Sequence, residues 1–425
     1  RRALERWPQI APAMDALLAA WPAPTPGFHR LDLPGFDAVL DLAILPADEA
    51  LARWDGRADA WFLDGFSPAL NPAMWTPELM RAVVKATAKD GAEIRQVPRP
   101  QIKPDEALIR VRATTICGTD VHIYQWNEWA QGRIGPRVPQ IMGHEFAGDV
   151  VEAGSACKRV KVGDFVSAET HIPCTHCVQC LTGQMHICRN LKILGVDCNG
   201  CFAEYIAVPE IVLWRNDPKI PPEYAAAQEP LGNAVYATLV EPVTARSVLI
   251  YGDGPAGLFA AGVAHVSGAS KVYMVGLSPL RLGIAKQMGA DVILDAGKDK
   301  VEEIILDDTG GTGVDVVLDM VGRQSVLDQG LKLVRKGGRY SAFGLPDGRL
   351  SIDLNNGVIF KGVRLLGING RVMFETWVQV SNLLASGRLD IAPVITHRMP
   401  LEQFAAGFDL LVHEPIQAGK IAFIL

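Results

Sequence analysis

The chain has 425 residues, 49% of them hydrophobic and 21% charged, with 41 Gly and 28 Pro. This composition excludes a disordered, collagen-like or coiled-coil chain, and the length calls for two or three domains. Forty-one Lys and Arg against 47 Asp and Glu leave a net charge of −6, which argues against a nucleic-acid or acidic-membrane partner.

Along the chain, residues 1–79 stand out first. They contain no Lys and no Cys, yet hold five of the nine Trp and ten of the 28 Pro. Six Arg face eleven Asp or Glu there, a net of −5, so the remaining residues carry only −1. Such a break marks two segments of different origin, although no Gly/Ser-rich or charged linker separates them. The chain opens on Arg1 without a charged-then-apolar leader, and no apolar run approaches the ~18 residues of a membrane helix. A cytoplasmic protein with no membrane partner is expected.

The second segment starts with short strands, at 107–113 and 147–152. Between and around them lie scattered metal-type residues. Cys117 sits in Ile116-Cys117-Gly118-Thr119-Asp120, His144-Glu145 follows Gly143, and Glu229 lies in Gln228-Glu229-Pro230-Leu231. One thiolate, one imidazole and one carboxylate can form a catalytic zinc shell with a position left open. Each residue alone reads equally well as a buried Cys or a surface His-Glu pair.

Cys174, Cys177, Cys180 and Cys188 are a C-x2-C-x2-C-x7-C run. Four thiolates at such spacing close a tetrahedral shell around Zn²⁺, at Zn–S distances of ~2.3 Å. The ion then replaces a core that so short a loop could not build. Disulfides need an exporting context, and cluster ferredoxins follow a tighter pattern, so structural zinc is the preferred reading. Cys198 and Cys201 form a further C-x2-C, read as ordinary free thiols because the four-Cys set is already complete.

From residue 247 the rhythm becomes strand–helix alternation. Apolar runs at 247–251, 271–275, 292–294, 315–319 and 339–343 are separated by helical patterns at 257–266, 279–288 and 325–333. This predicts a parallel sheet covered on both faces. Gly252-Asp253-Gly254-Pro255-Ala256-Gly257 is a G-x-G-x-x-G directly after the first of these strands. Gly252 permits the tight turn, Gly254 the approach of a pyrophosphate and Gly257 the helix–strand contact, with the phosphates at a helix N-terminus. The acidic ribose ligand expected at the end of the second strand is missing. Gly276-Leu277-Ser278-Pro279 stands there, with Arg281 nearby, so NAD and NADP both remain open.

Residues 80–425 resemble the zinc-dependent medium-chain alcohol dehydrogenases, closest to their L-threonine 3-dehydrogenase branch. The stretches that carry this are 116–129 (ICGTDVHIYQWNEW), 141–148 (IMGHEFAG), 169–188, 200–205 (GCFAEY), 228–235 (QEPLGNAV), 367–377 (GINGRVMFETW) and 395–398 (ITHR). The resemblance implies an α/β protein: a GroES-like β-rich catalytic domain at 80–231 and 375–425, interrupted by a Rossmann doubly wound sheet at 232–374. It implies catalytic zinc on Cys117, His144 and Glu229, with Glu145 as ligand or close neighbour. Thr119 and His122 match a proton relay, and His171 matches a residue near the substrate. A small amino acid or alcohol would be oxidised, in a homotetramer or dimer. Sorbitol- or butanediol-type dehydrogenases are the nearest alternatives. The family usually carries an acidic residue where Gly276 stands.

Residues 1–79 resemble part of a tRNA 5-methylaminomethyl-2-thiouridine methyltransferase domain, an α/β fragment. The residues concerned are 21–31 and, above all, Asp59 to Pro68 (DAWFLDGFSP) and Asn71 to Trp75 (NPAMW). No G-x-G loop for S-adenosylmethionine occurs there, so a passenger fragment is expected rather than methyl transfer. At the junction, Thr76-Pro77-Glu78 is a helix start that the methyltransferase pattern would continue through 80–84. The dehydrogenase pattern makes 80–84 its first strand, and that strand is expected because the packing of a complete domain overrides local propensity.

Overall fold

The computed structural model describes residues 79–425, the strands Gly27–Leu33 and Ala38–Ile44, and Ala19. It comprises two compact units, Arg1–Met80 with Gln96–Arg99, and Arg81–Arg95 with Pro100–Leu425. In the smaller unit the two early strands pair antiparallel, from Gly27↔Ile44 to Leu33↔Ala38. The methyltransferase-like stretch at 59–75 and the Thr76 helix start lie outside the described residues. Leu79–Lys85 is a strand, as expected. Its later part pairs with Gln140–Ile141, and Val83 N–H donates to the Phe202 carbonyl at 2.7 Å.

In the larger unit, Glu106–Thr115 is the spine of a seven-stranded sheet. Glu145–Ala153, Tyr205–Pro209 and Lys420–Ile424 all pair with it antiparallel. The pairing Thr115↔Glu145 brings the end of the spine to the start of its neighbour. Cys117 and His144 therefore leave adjacent strand ends although 26 residues separate them in sequence. Ile109, Val111, Phe146, Phe202, Phe408 and Phe423 fill the core beneath.

Six parallel strands form the second sheet, in the order Val292–Asp295, Lys271–Gly276, Ser247–Tyr251, Val314–Asp319, Val334–Ala342, Arg364–Gly367. This is the 3-2-1-4-5-6 order of a dinucleotide-binding sheet, whose order reverses beside the first strand. Val248, Leu249 and Ile250 are fully buried, as consecutive residues must be when helices cover both faces. The predicted elements recur with ends displaced by a residue or two, except that 339–343 is the second half of Val334–Ala342. Other elements had no sequence forecast, two of them in or beside this sheet. Val301–Asp308 is an acidic helix, and Arg364–Gly367 is an edge strand of four residues that opens on a charge and leaves Leu365 exposed, too short an apolar run to read as a buried strand.

Candidate active site and metal centres

The four-cysteine lobe is built locally. The sulfur atoms of Cys174, Cys177, Cys180 and Cys188 all lie within 4.8 Å of one another, and every one is a free thiol. The amides of Cys174 and Asn190 donate to Cys188 Sγ at 3.2 and 3.3 Å. Backbone donors, foremost that of His176, pull the Cys174 thiol down to about 6, while burial pushes Cys180 up to about 12. An all-sulfur, amide-lined shell fits a structural Zn²⁺.

Cys117, His144 and Glu145 form a second group, again with ligand atoms within 4.8 Å of one another. Cys117 caps the helix Gly118–Tyr124, and its amide donates to Asp120 Oδ2 at 3.0 Å. The buried Asp120 places its other oxygen 3.5 Å from His144 Nδ1, and neither atom has a hydrogen-bond partner among the described residues. A carboxylate behind an imidazole orients the ring and raises its basicity toward a metal. Burial disfavours the His144 imidazolium, yet Asp120 and Cys117 outweigh it and raise its proton affinity. The thiolate–imidazole–carboxylate donor set is one that Zn²⁺ accepts.

Glu145 is fully buried and accepts from Lys420 Nζ at 2.7 Å and from Thr115 Oγ1. Burial raises the Glu145 carboxyl against the pull of Lys420, which also donates to the Ile116 carbonyl at 2.9 Å. Glu229 is not among the clustered ligands. Its carboxylate pairs with Arg371 Nη1 at 2.7 Å, from the first turn of the helix Gln228–Leu239. Arg371 Nε donates to Glu169 Oε2 at 2.7 Å, Nη2 to Glu169 Oε1, and Nη1 to Asn233 Oδ1 at 2.8 Å. Trp377 Nε1 also donates to Glu169, at 2.9 Å. Burial would raise Glu169, but Arg371 more than offsets it and the carboxyl sits below its ordinary value. Burial and Arg371 together lower His171, whose Nδ1 lies 3.1 Å from the His186 carbonyl. Thr119 Oγ1 is 3.9 Å from Cys117 Sγ, and the exposed His122 meets Asn127 through Nδ1 at 2.9 Å.

Asp120, Glu169, Arg371 and Lys420 were not singled out by the sequence reading. The one available signal was a charge inside an otherwise apolar stretch, as for Lys420 in Lys420–Ile424.

The glycine loop has the required shape. Gly252 has φ +101°, and a Cβ on Gly257 would lie 1.8 Å from the Gly252 carbonyl oxygen. Gly254 caps the helix Pro255–Val266, and a Cβ there would meet nothing within 4 Å, leaving room for a phosphate. Ser278 caps the next helix by accepting from Arg281 N–H.

Family models match at three places: the alcohol dehydrogenase GroES-like domain over residues 103–218, the zinc-binding dehydrogenase over 255–386, and an S-adenosyl-L-methionine-dependent methyltransferase over 8–94. The last match runs past residue 79 into the first dehydrogenase strand. The chain belongs to the zinc-dependent medium-chain alcohol dehydrogenase family. It is 48% identical to L-threonine 3-dehydrogenases from Bacillus velezensis, over 81% of this chain and 99% of that protein, and from Pyrococcus furiosus, over 82% and 99%. Among solved structures, an alcohol dehydrogenase from Thermus sp. ATN1 matches with a TM-score of 0.74 at 31% identity, over 81% of this chain and 99% of that one. The protein is accordingly a zinc- and NAD(P)-dependent oxidoreductase of a small molecule. No helix among the described residues is long and apolar enough to cross a membrane.

Proposed function

We propose that residues 80–425 are an L-threonine 3-dehydrogenase, oxidising the threonine β-hydroxyl to 2-amino-3-oxobutanoate with hydride transfer to NAD or NADP. The observation that carries this is the convergence of Cys117, His144 and Glu145, in a chain 48% identical to enzymes of that name. Residues 80–231 with 375–425 supply the metal and substrate groups, and 232–374 the coenzyme groups.

When bound, zinc supplies Lewis acidity at the hydroxyl and the nicotinamide supplies the hydride acceptor. Cys117, His144 and Glu145 hold the catalytic ion, with Glu229 as the further carboxylate. Thr119 and the exposed His122 carry the hydroxyl proton to solvent, with Asn127 fixing the His122 ring. His171, kept neutral by burial and Arg371, lines the substrate side without adding a competing charge. Gly252, Gly254, Pro255, Ala256 and Gly257 receive the diphosphate, while Gly276, Ser278 and Arg281 border the adenosine ribose. Cys174, Cys177, Cys180 and Cys188 hold structural zinc.

A homotetramer or dimer is supported by the exposed Leu345, Phe360 and Leu365 near the sheet edge. Eight unpaired cysteines support a reducing, cytoplasmic setting. The match over 8–94 favours reading the first segment as a piece of a methyltransferase domain.

The test follows reduced-nicotinamide absorbance with L-threonine, 2,3-butanediol and sorbitol, each with NAD and NADP. L-Threonine is expected to give the highest kcat/KM. A tenfold preference for either polyol would reassign the substrate.

A further inference from the structure

A dinucleotide-binding sheet ordinarily presents an acidic side chain at the end of its second strand, where it accepts from the ribose 2′-hydroxyl and repels a 2′-phosphate. Here that strand, Lys271–Gly276, ends in glycine, and the space a side chain would fill is already taken. A Cβ on Gly276 would lie 2.5 Å from Asp253 Cβ, 2.6 Å from its Cγ and 2.7 Å from its Oδ2. The occupant is thus a carboxylate, delivered from the second position of the G-x-G-x-x-G turn.

Asp253 is buried, and its Oδ2 accepts two backbone N–H groups, from Leu277 at 3.0 Å and Ser278 at 2.7 Å. These consecutive amides would otherwise form a small anion cradle beside the ribose position. Both amide bonds fall on Oδ2, so Oδ1 is not needed to hold the turn.

The nearby cation is also committed. Arg281 Nε donates to the Ala418 carbonyl at 2.6 Å and Nη2 to that of Pro415, while Ser278 Oγ donates to the Ile416 carbonyl at 2.6 Å. The guanidinium is therefore held by the 415–418 segment, within the field of Asp253, rather than presented as a counter-ion for a 2′-phosphate.

We infer that Asp253, from inside the glycine turn, takes the place of the missing acidic residue at position 276 and makes this chain select NAD over NADP. Oδ1 accepts from the ribose 2′-hydroxyl, while the anchored charge and the occupied amides exclude the phosphate. This rests on the coenzyme half of the proposed function and is independent of the alcohol oxidised.

The experiment titrates the full chain with NADH and with NADPH, without any alcohol, and reads Kd from quenching of tryptophan fluorescence. The wild type is expected to bind NADH at least about tenfold more tightly, on the scale of removing one like-charge contact. Asp253→Asn keeps the shape and an acceptor for the amides but loses the charge, and should narrow that ratio about tenfold. Asp253→Ala should narrow it at least as far, and Asp253→Ala with Gly276→Asp should restore it. Equal wild-type affinities overturn the inference, and that measurement needs no variant to fold. Unchanged ratios in variants with wild-type circular dichroism would likewise assign Asp253 to the turn alone. Failure to bind either coenzyme removes the premise. Tight NADH binding without threonine turnover leaves the inference standing and refutes only the substrate.

Discussion

Two thiol-bearing sites in one chain are assembled in opposite ways. The four-cysteine lobe takes every donor from residues 174–188, with backbone amides around the sulfurs. The Cys117 site takes its donors from two strand ends and surrounds them with buried charge: Asp120 behind His144, Lys420 behind Glu145, and Arg371 between Glu169 and Glu229. A closed shell holds itself once its four donors are within reach of an ion. A shell with an open position needs its ligands oriented from behind, because the missing ligand cannot complete the geometry.

The sharpest way to break this contrast is at the lobe. Cys177→Ser removes one of four ligands from a shell whose metal contributes about 10 kcal/mol or more to folding in comparable small modules. Zinc analysis should fall from two ions per chain to one, and limited proteolysis should cut within 174–188. Retention of two ions would show that the lobe is not a four-thiolate site.

Cys117→Ser should do the reverse, leaving the unfolding curve near wild type while lowering kcat by about 10⁴-fold, the scale of losing the group that activates the hydroxyl. Near-normal turnover would remove Cys117 from the chemistry.

Arg371→Met strips the buried Glu169 and Glu229 of their shared cation and should cost about 3–5 kcal/mol in denaturant unfolding. The same network carries a pH signature. Glu169 has a folded value below its ordinary one, so its ion pair contributes full stability above the unfolded carboxylate value of about 4.3. That contribution is lost as pH falls through the depressed folded value. Wild type should therefore lose stability in that acid window, and Glu169→Gln should start lower and show a shallower decline. Parallel curves would place the acid-labile pair elsewhere.

His122→Ala is the mildest change, at an exposed ring outside the buried network. A fall in kcat of about 10²-fold with unchanged thermal stability is expected, and partial rescue by added imidazole would mark lost proton transfer. An unaffected kcat would leave the relay to Thr119 and water.

Legibility in the sequence followed the same division. The lobe could be read from spacing because its donors are neighbours in the chain, and the glycine loop because its turn, strand and helix are contiguous. Cys117, His144 and Glu229 could be named from residue type as an open zinc shell, but only the family resemblance favoured that reading, since nothing local distinguishes a ligand from a buried thiol. Asp120, Lys420, Glu169 and Arg371 were invisible as site residues. A charge reads as solvent-facing until its partner is known, and Lys420 meets Glu145 across 275 positions.

Gly276 makes the point most compactly. Its sequence shows an absent carboxylate, and only the fold brings Asp253 into that space. Short-range pattern alone determined the parallel sheet, the phosphate turn and the four-sulfur lobe, because each is encoded by residues in contact along the backbone. Tertiary structure alone decided which charges are buried, which carboxylate fills the space beside Gly276 and which candidate ligands face one another. Those outcomes depend on distant segments whose proximity no local periodicity records.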